Sequence, residues 1–221
     1  MRQRLLLLAG RAAAVAGDIA FQKVILSSTN DFAHTVRAAD LDGDGDLDVI
    51  FAAKNDQIVG WVNNADGIFE QFYETRLERR GGLSSVVCGD LNGDGAVDVV
   101  AAAQAGNALY VYFNNGGGEF TVSTISDAAK APSALELTDV DSDGDLDVVV
   151  ASFGGELDWY ANSGKDFAFA PSYAIATGLQ VTKAVGVGDV GGGARIEFIF
   201  ATPIHPSSTK GVPGRTGRWG R

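Results

Sequence analysis

Residues 40–48 read D-L-D-G-D-G-D-L-D, five aspartates in nine residues, and the chain then turns abruptly apolar. The pattern returns at residues 90–98 (D-L-N-G-D-G-A-V-D) and at residues 139–147 (D-V-D-S-D-G-D-L-D). Acidic or amide side chains at positions 1, 3, 5 and 9, with glycine at position 6, let a tight loop wrap oxygen atoms around a hard cation. Calcium is the natural occupant. The expected side-chain ligands are Asp40, Asp42, Asp44 and Asp48 in the first loop and Asp90, Asn92, Asp94 and Asp98 in the second. The third offers Asp139, Asp141, Asp143 and Asp147. Position 7 (Asp46, Ala96, Asp145) is expected to give its backbone carbonyl.

A worn fourth copy occupies residues 189–197 (D-V-G-G-G-A-R-I-E). Glycines replace its ligands at positions 3 and 5 (Gly191, Gly193), Arg195 sits at position 7, and only Asp189 and Glu197 remain acidic. Two such ligands are too few, so the expectation is about three bound ions per chain.

An EF-hand or dockerin loop would share the first six positions but needs an acid at position 12. Here position 12 is Phe51, Ala101 and Val150, inside β-branched-rich runs that read as strands. The ninth-position aspartate therefore closes the loop, which joins two strands. A solvated acidic turn is common as a single instance, but three copies in register argue against that reading.

The loops start 50, 49 and 50 residues apart, a period that points to a propeller or solenoid. Each repeat has one grammar. A strand is expected before each loop (residues 34–39, 84–89, 133–138, 183–188), and an apolar strand buried on both faces after it. A third strand ends in an aromatic residue two before an asparagine: Trp61 and Asn63, Tyr112 and Asn114, Tyr160 and Asn162. A fourth opens near Phe69, Phe120 and Phe167. Four antiparallel strands make one blade. The recurring aromatics are expected to fill the gap between adjacent sheets, and the asparagines and glycines to form turns.

The D-x-D-x-D-G-x-x-D loop before an apolar strand, repeated about every fifty residues, resembles the FG-GAP/VCBS type of repeat, related to integrin α-subunit propeller blades. The resemblance covers residues 19–201. It implies an all-β propeller with calcium in the hairpin between the first two strands of each blade. Related propellers usually have seven blades, so three whole blades plus half-blades imply a partial one. Residues 19–27 read as the outer strand of an earlier blade, and the fourth repeat supplies two strands. Open edges of this kind are expected either to self-associate or to close on each other as a small ring.

The 221 residues fit one domain with a substantial core. The net charge of −11 argues against nucleic acid, although 13 of the 28 acidic residues lie in the three intact loops, so the acidity is largely metal chemistry. Residues 1–16 have a basic start, an apolar centre and an A-x-A-like end, resembling a secretory signal; with Arg11 and no acid before Asp18, they also suit an organellar transit peptide. No apolar stretch is long enough to span a membrane. The single cysteine, Cys88, reads as a small buried residue. Residues 202–221, basic and rich in proline and glycine, read as a disordered tail.

Three functional classes are then weighed. The leading expectation is a calcium-stabilised, extracellular binding or adhesion module for a protein or glycan. An inert fragment of a larger propeller comes second. A carbohydrate-active enzyme or its accessory domain comes last, because His34 and His205 are the only histidines, neither has a motif around it, and no nucleophile elbow or H-E-x-x-H is present.

Overall fold

The computed structural model describes residues 7–9, 22–24, 33–53, 57–63, 69–76, 81–116, 119–164, 169, 171–179, 182–189 and 196–201. The tail at 202–221, residues 190–195 of the worn loop and all of the signal-like segment except 7–9 lie outside them.

Among the described residues every long regular element is a strand. β1 (Leu7–Ala9) pairs with β2 (Gln22–Val24). Three four-stranded antiparallel sheets follow in chain order. Blade 1 is β3 (Ala33–Ala39), β4 (Asp48–Ala53), β5 (Gln57–Asn63) and β6 (Phe69–Arg76). Blade 2 is β7 (Leu83–Gly89), β8 (Asp98–Ala103), β9 (Ala108–Asn114) and β10 (Phe120–Ser126). Blade 3 is β11 (Pro132–Thr138), β12 (Asp147–Ser152), β13 (Leu157–Tyr160) and β14 (Tyr173–Ala176). A half-blade of β15 (Ala184–Gly188) and β16 (Glu197–Ala201) closes the series.

This is the blade-by-blade meander expected from the repeat. Phe167 lies outside the described residues, but in blade 3 the outer segment first meets the third strand at a bridge between Phe169 and Asn162, and it runs on as β14 from Tyr173. Tyr173 stacks across the sheet on Trp159, ring centroids 5.0 Å apart. Of residues 19–27 only 22–24 are described, and they pair with β1, while β15 pairs with β16.

The innermost strands β3, β7, β11 and β15 stand side by side, so each blade packs face to face on the next. That arrangement explains why β4, β8 and β12 are buried at every position and why they are so rich in valine and alanine. The side chains of β8 and β12 meet a neighbouring sheet on both faces, and Ile50 and Ala52 of β4 meet blade 2. One core lies between blades 1 and 2 (Leu41, Ile50, Val86, Val99, Tyr112), a second between blades 2 and 3 (Val87, Val100, Leu109, Leu135, Tyr160), and a third under the half-blade (Val149, Leu157, Val185, Phe198). Tyr112 and Tyr160 thus fill the gaps between sheets, as their period suggests.

The first strand of each whole blade opens on a β-bulge, at Ala33/Thr35, Leu83/Ser85 and Pro132/Ala134. The extra residue turns its side chain along the sheet. In blades 2 and 3 that residue is serine. The Ser84 hydroxyl reaches Ala102 O and, in the next blade, Pro132 O at 2.8 Å; Ser133 does the same with Ala151 O and Thr182 O at 2.6 Å.

Candidate metal centre

Each acidic loop is the hairpin between the first two strands of a blade, so the antiparallel topology puts all three at one end of the molecule. Position 1 shapes the loop. Asp40 accepts from the N–H groups of Gly43 (2.8 Å) and Gly45 (3.0 Å), and Asp90 from Gly93 (2.7 Å) and Gly95 (2.9 Å). Asp139 accepts from Asp143 and Gly144. To present that N–H, position 6 must adopt a left-handed backbone: Gly45, Gly95 and Gly144 have φ of 94°, 89° and 99°.

Position 9 anchors the other end. Asp48, Asp98 and Asp147 are fully buried, and one carboxylate oxygen of each accepts the N–H of position 2, from Leu41 (2.7 Å), Leu91 (2.9 Å) and Val140 (2.8 Å). In the second and third loops the remaining oxygen accepts a further N–H, from Asn114 (2.9 Å) and Asn162 (2.8 Å). Burial pushes the Asp98 and Asp147 carboxyls above the usual range, and these N–H bonds pull part of the way back. Asp141 is raised as well, by desolvation and then by the neighbouring Asp143 carboxylate.

The loops bring positions 1, 3 and 9 together. One oxygen each from Asp40, Asp42 and Asp48, and one each from Asp139, Asp141 and Asp147, lie within 4.8 Å of one another. Ligands held at 2.3–2.6 Å from a calcium ion stand no more than about 5.2 Å apart, so this spacing fits a hard cation. Two like charges that close repel by about 3.5 kcal/mol at an effective dielectric near 20, a cost that a cation removes. In the second loop Asn92 takes the place of the third carboxylate. Its amide donates to Asp94 at 2.8 Å, and its oxygen accepts the Asp94 N–H at 2.9 Å.

Position 5 is tied to position 7 within each loop. Asp44 and Asp143 lie outside the converging groups, and each accepts the N–H of position 7 instead, from Asp46 and Asp145 at 2.9 Å. Asp94 accepts likewise from Ala96 at 2.8 Å. Asx turns at positions 3 and 5 thus build the loop wall.

Asn114 and Asn162, expected to be simple turn formers, do more. Both accept a turn N–H, from Gly116 and Gly164. Both also bury their amides between blades: Asn114 donates to Leu41 O of the preceding loop (2.7 Å) and Val97 O of its own (3.2 Å). Asn162 donates to Leu91 O (2.6 Å) and Leu146 O (3.1 Å). Their fixed distance after each loop was the available signal, but it names no partner in another repeat. His34 is exposed at the start of β3, and Cys88 is partly buried beside the first interblade core.

A propeller built of repeated hairpins with convergent acidic loops defines a class, and comparison with known proteins agrees. Residues 40–101, 90–150 and 139–200 each match the FG-GAP-like repeat, and the chain belongs to that family. No curated protein matches its sequence. Among solved structures it is similar to BBS1N, crystallised in complex with ARL6DN and soaked with mercury, at 15% identity and a TM-score of 0.52 over 78% of this chain and 48% of that one. It is also similar to virginiamycin B lyase from Staphylococcus aureus, at 17% identity and a TM-score of 0.53 over 82% and 52%. The chain spans about half the length of these structures, and identities this low speak to the fold alone.

Proposed function

We propose that this chain is a calcium-stabilised β-propeller module that binds a protein or glycan and carries out no catalysis itself. The convergence of Asp40, Asp42 and Asp48, and again of Asp139, Asp141 and Asp147, carries the reading. Calcium would be held by these residues, and by Asp90, Asn92 and Asp98 in the second loop. Asp44, Asp94 and Asp143 shape the wall and complete the shell, with carbonyls of Asp46, Ala96 and Asp145. A bound cation would supply charge neutralisation only.

Partner binding falls to the ends of the blades. At the end opposite the metal loops a cleft of about 430 Å³ runs between blades 2 and 3, past Asn107, Asp127, Lys130 and Gly154. BBS1N, a structure of similar fold, was crystallised with another protein, and a protein partner for this chain is part of the proposal. The acidic composition disfavours nucleic acid. No helix among the described residues is long and apolar enough to cross a membrane. An extracellular setting, where calcium is millimolar, suits loops of this kind. Self-association through a free blade edge belongs to the same reading: among the described residues β16 is paired on one side only, beside exposed Ile199.

Calcium titration of the chelated chain, followed by metal analysis, tests the core of this proposal. Saturable uptake of about three ions with a rise in melting temperature is expected, and no uptake at millimolar calcium overturns it. Light scattering over a concentration series tests association, a monomer throughout counting against it.

A further inference from the structure

The hydrogen bonds described above join end to end. Leu41 N–H donates to Asp48 in loop 1, and Leu41 O accepts the Asn114 amide. Asn114 N–H donates to Asp98 of loop 2, whose other oxygen accepts Leu91 N–H. Leu91 O accepts the Asn162 amide, and Asn162 N–H donates to Asp147 of loop 3, which also holds Val140 N–H. All the aspartates and both asparagines in this ladder are buried, with no more than 3% of their surface exposed. It crosses two blade interfaces and touches every intact loop.

We propose that Asn114 and Asn162 are positioning residues that couple the three loops, so that filling one loop raises the affinity of the next. The inference rests on the calcium reading and adds linkage to it. A cation in loop 1 fixes the Asp48 carboxylate, and with it the Leu41 backbone. Leu41 O then holds the Asn114 side chain, whose own N–H aims Asp98 at loop 2. The second ion therefore meets a site already ordered, which is positive coupling. The same step repeats through Asn162 into loop 3.

Both asparagines engage both amide donors, the side-chain oxygen and the backbone N–H. Aspartate would set an acceptor against Leu41 O or Leu91 O. Alanine would leave those carbonyls unpaired.

The test is calorimetric calcium titration of the full chain in a double-mutant cycle. Asp141→Ala removes a carboxylate from loop 3 at an exposed position outside the ladder. Coupling predicts that the ions remaining in loops 1 and 2 bind about fivefold more weakly, at the low end of ordinary coupling. In the Asn162→Ala background the same Asp141→Ala change should leave those affinities unmoved, a result that a purely structural asparagine would not give. If Asn162→Ala fails to fold, Asp141→Ala alone decides. Calcium uptake with remaining affinities unchanged in Asp141→Ala overturns the coupling and leaves the calcium reading standing. No calcium uptake by the unaltered chain overturns both.

Discussion

At the scale of single residues, the buried asparagine is the most exacting position in the repeat. Replacing Asn162 by alanine strands Leu91 O in the interior, at about 1 to 3 kcal/mol, and removes the bond to the half-buried Leu146 O, worth about 1 kcal/mol. A loss of roughly 2 to 4 kcal/mol in chelated protein is expected by denaturant unfolding, and a greater loss for Asn162→Asp, whose carboxylate faces two carbonyls. Cys88 gives a second check. Burial pushes its thiol from 9.0 up to about 12, with Arg37 acting weakly in the other direction. The folded thiol therefore stays protonated where the unfolded one ionises. Relative to Cys88→Ala, the protein should lose stability as pH rises from about 9 towards 12, and at pH 8 iodoacetamide should label Cys88 only as fast as the chain opens. Rapid labelling of the native protein would contradict the burial.

At the scale of elements, the strands were readable because their apolar runs and loop aspartates recur at one spacing. The hairpin loops followed from the same residues: positions 1, 3 and 9 converge as their spacing demands, and position 6 is left-handed. Three features were not legible. The hydroxyls of Ser84 and Ser133 find a carbonyl in the next blade, and the asparagine amides a loop some seventy residues away. The third is the break in the last strand of blade 3: Phe169 bridges Asn162 close to the expected aromatic anchor, but continuous pairing starts only at Tyr173, opposite Trp159.

Loop geometry yields two opposite substitutions. Ser142 has φ of 67° where the other loops place Gly43 and Gly93. Ser142→Gly should stabilise the protein by about 0.5 to 1 kcal/mol, the relief of a left-handed side chain less the added chain entropy. Gly155 is the reverse case. A Cβ there would stand 1.7 Å from Leu179 O, with φ at 80°, so Gly155→Ala should cost roughly 3 kcal/mol or more and loosen blade 3 against the half-blade. Thermal melts of the two variants should move in opposite directions.

At the scale of the whole molecule, stability is distributed along a row of sheets, because among the described residues each blade packs on the next and each such pair shares one apolar core. The acidic loops cap that row at one end, and their buried aspartates are raised by desolvation, so the metal-free chain holds charge against a cost. On the proposed reading, calcium would bind the native loops and not the unfolded chain. At affinities of about 0.1 to 1 mM, millimolar calcium adds roughly 0.4 to 1.4 kcal/mol per site, or about 1 to 4 kcal/mol over three sites. For a domain of this size that is a rise of several degrees in melting temperature. The rise should shrink by more than a third in Asp141→Ala if the loops are linked, since removing one site then also weakens the other two. Magnesium, which demands near-octahedral geometry at shorter distances, should give a smaller rise at equal concentration. A melting temperature that excess chelator leaves unchanged would show that the carboxylates tolerate one another without a cation.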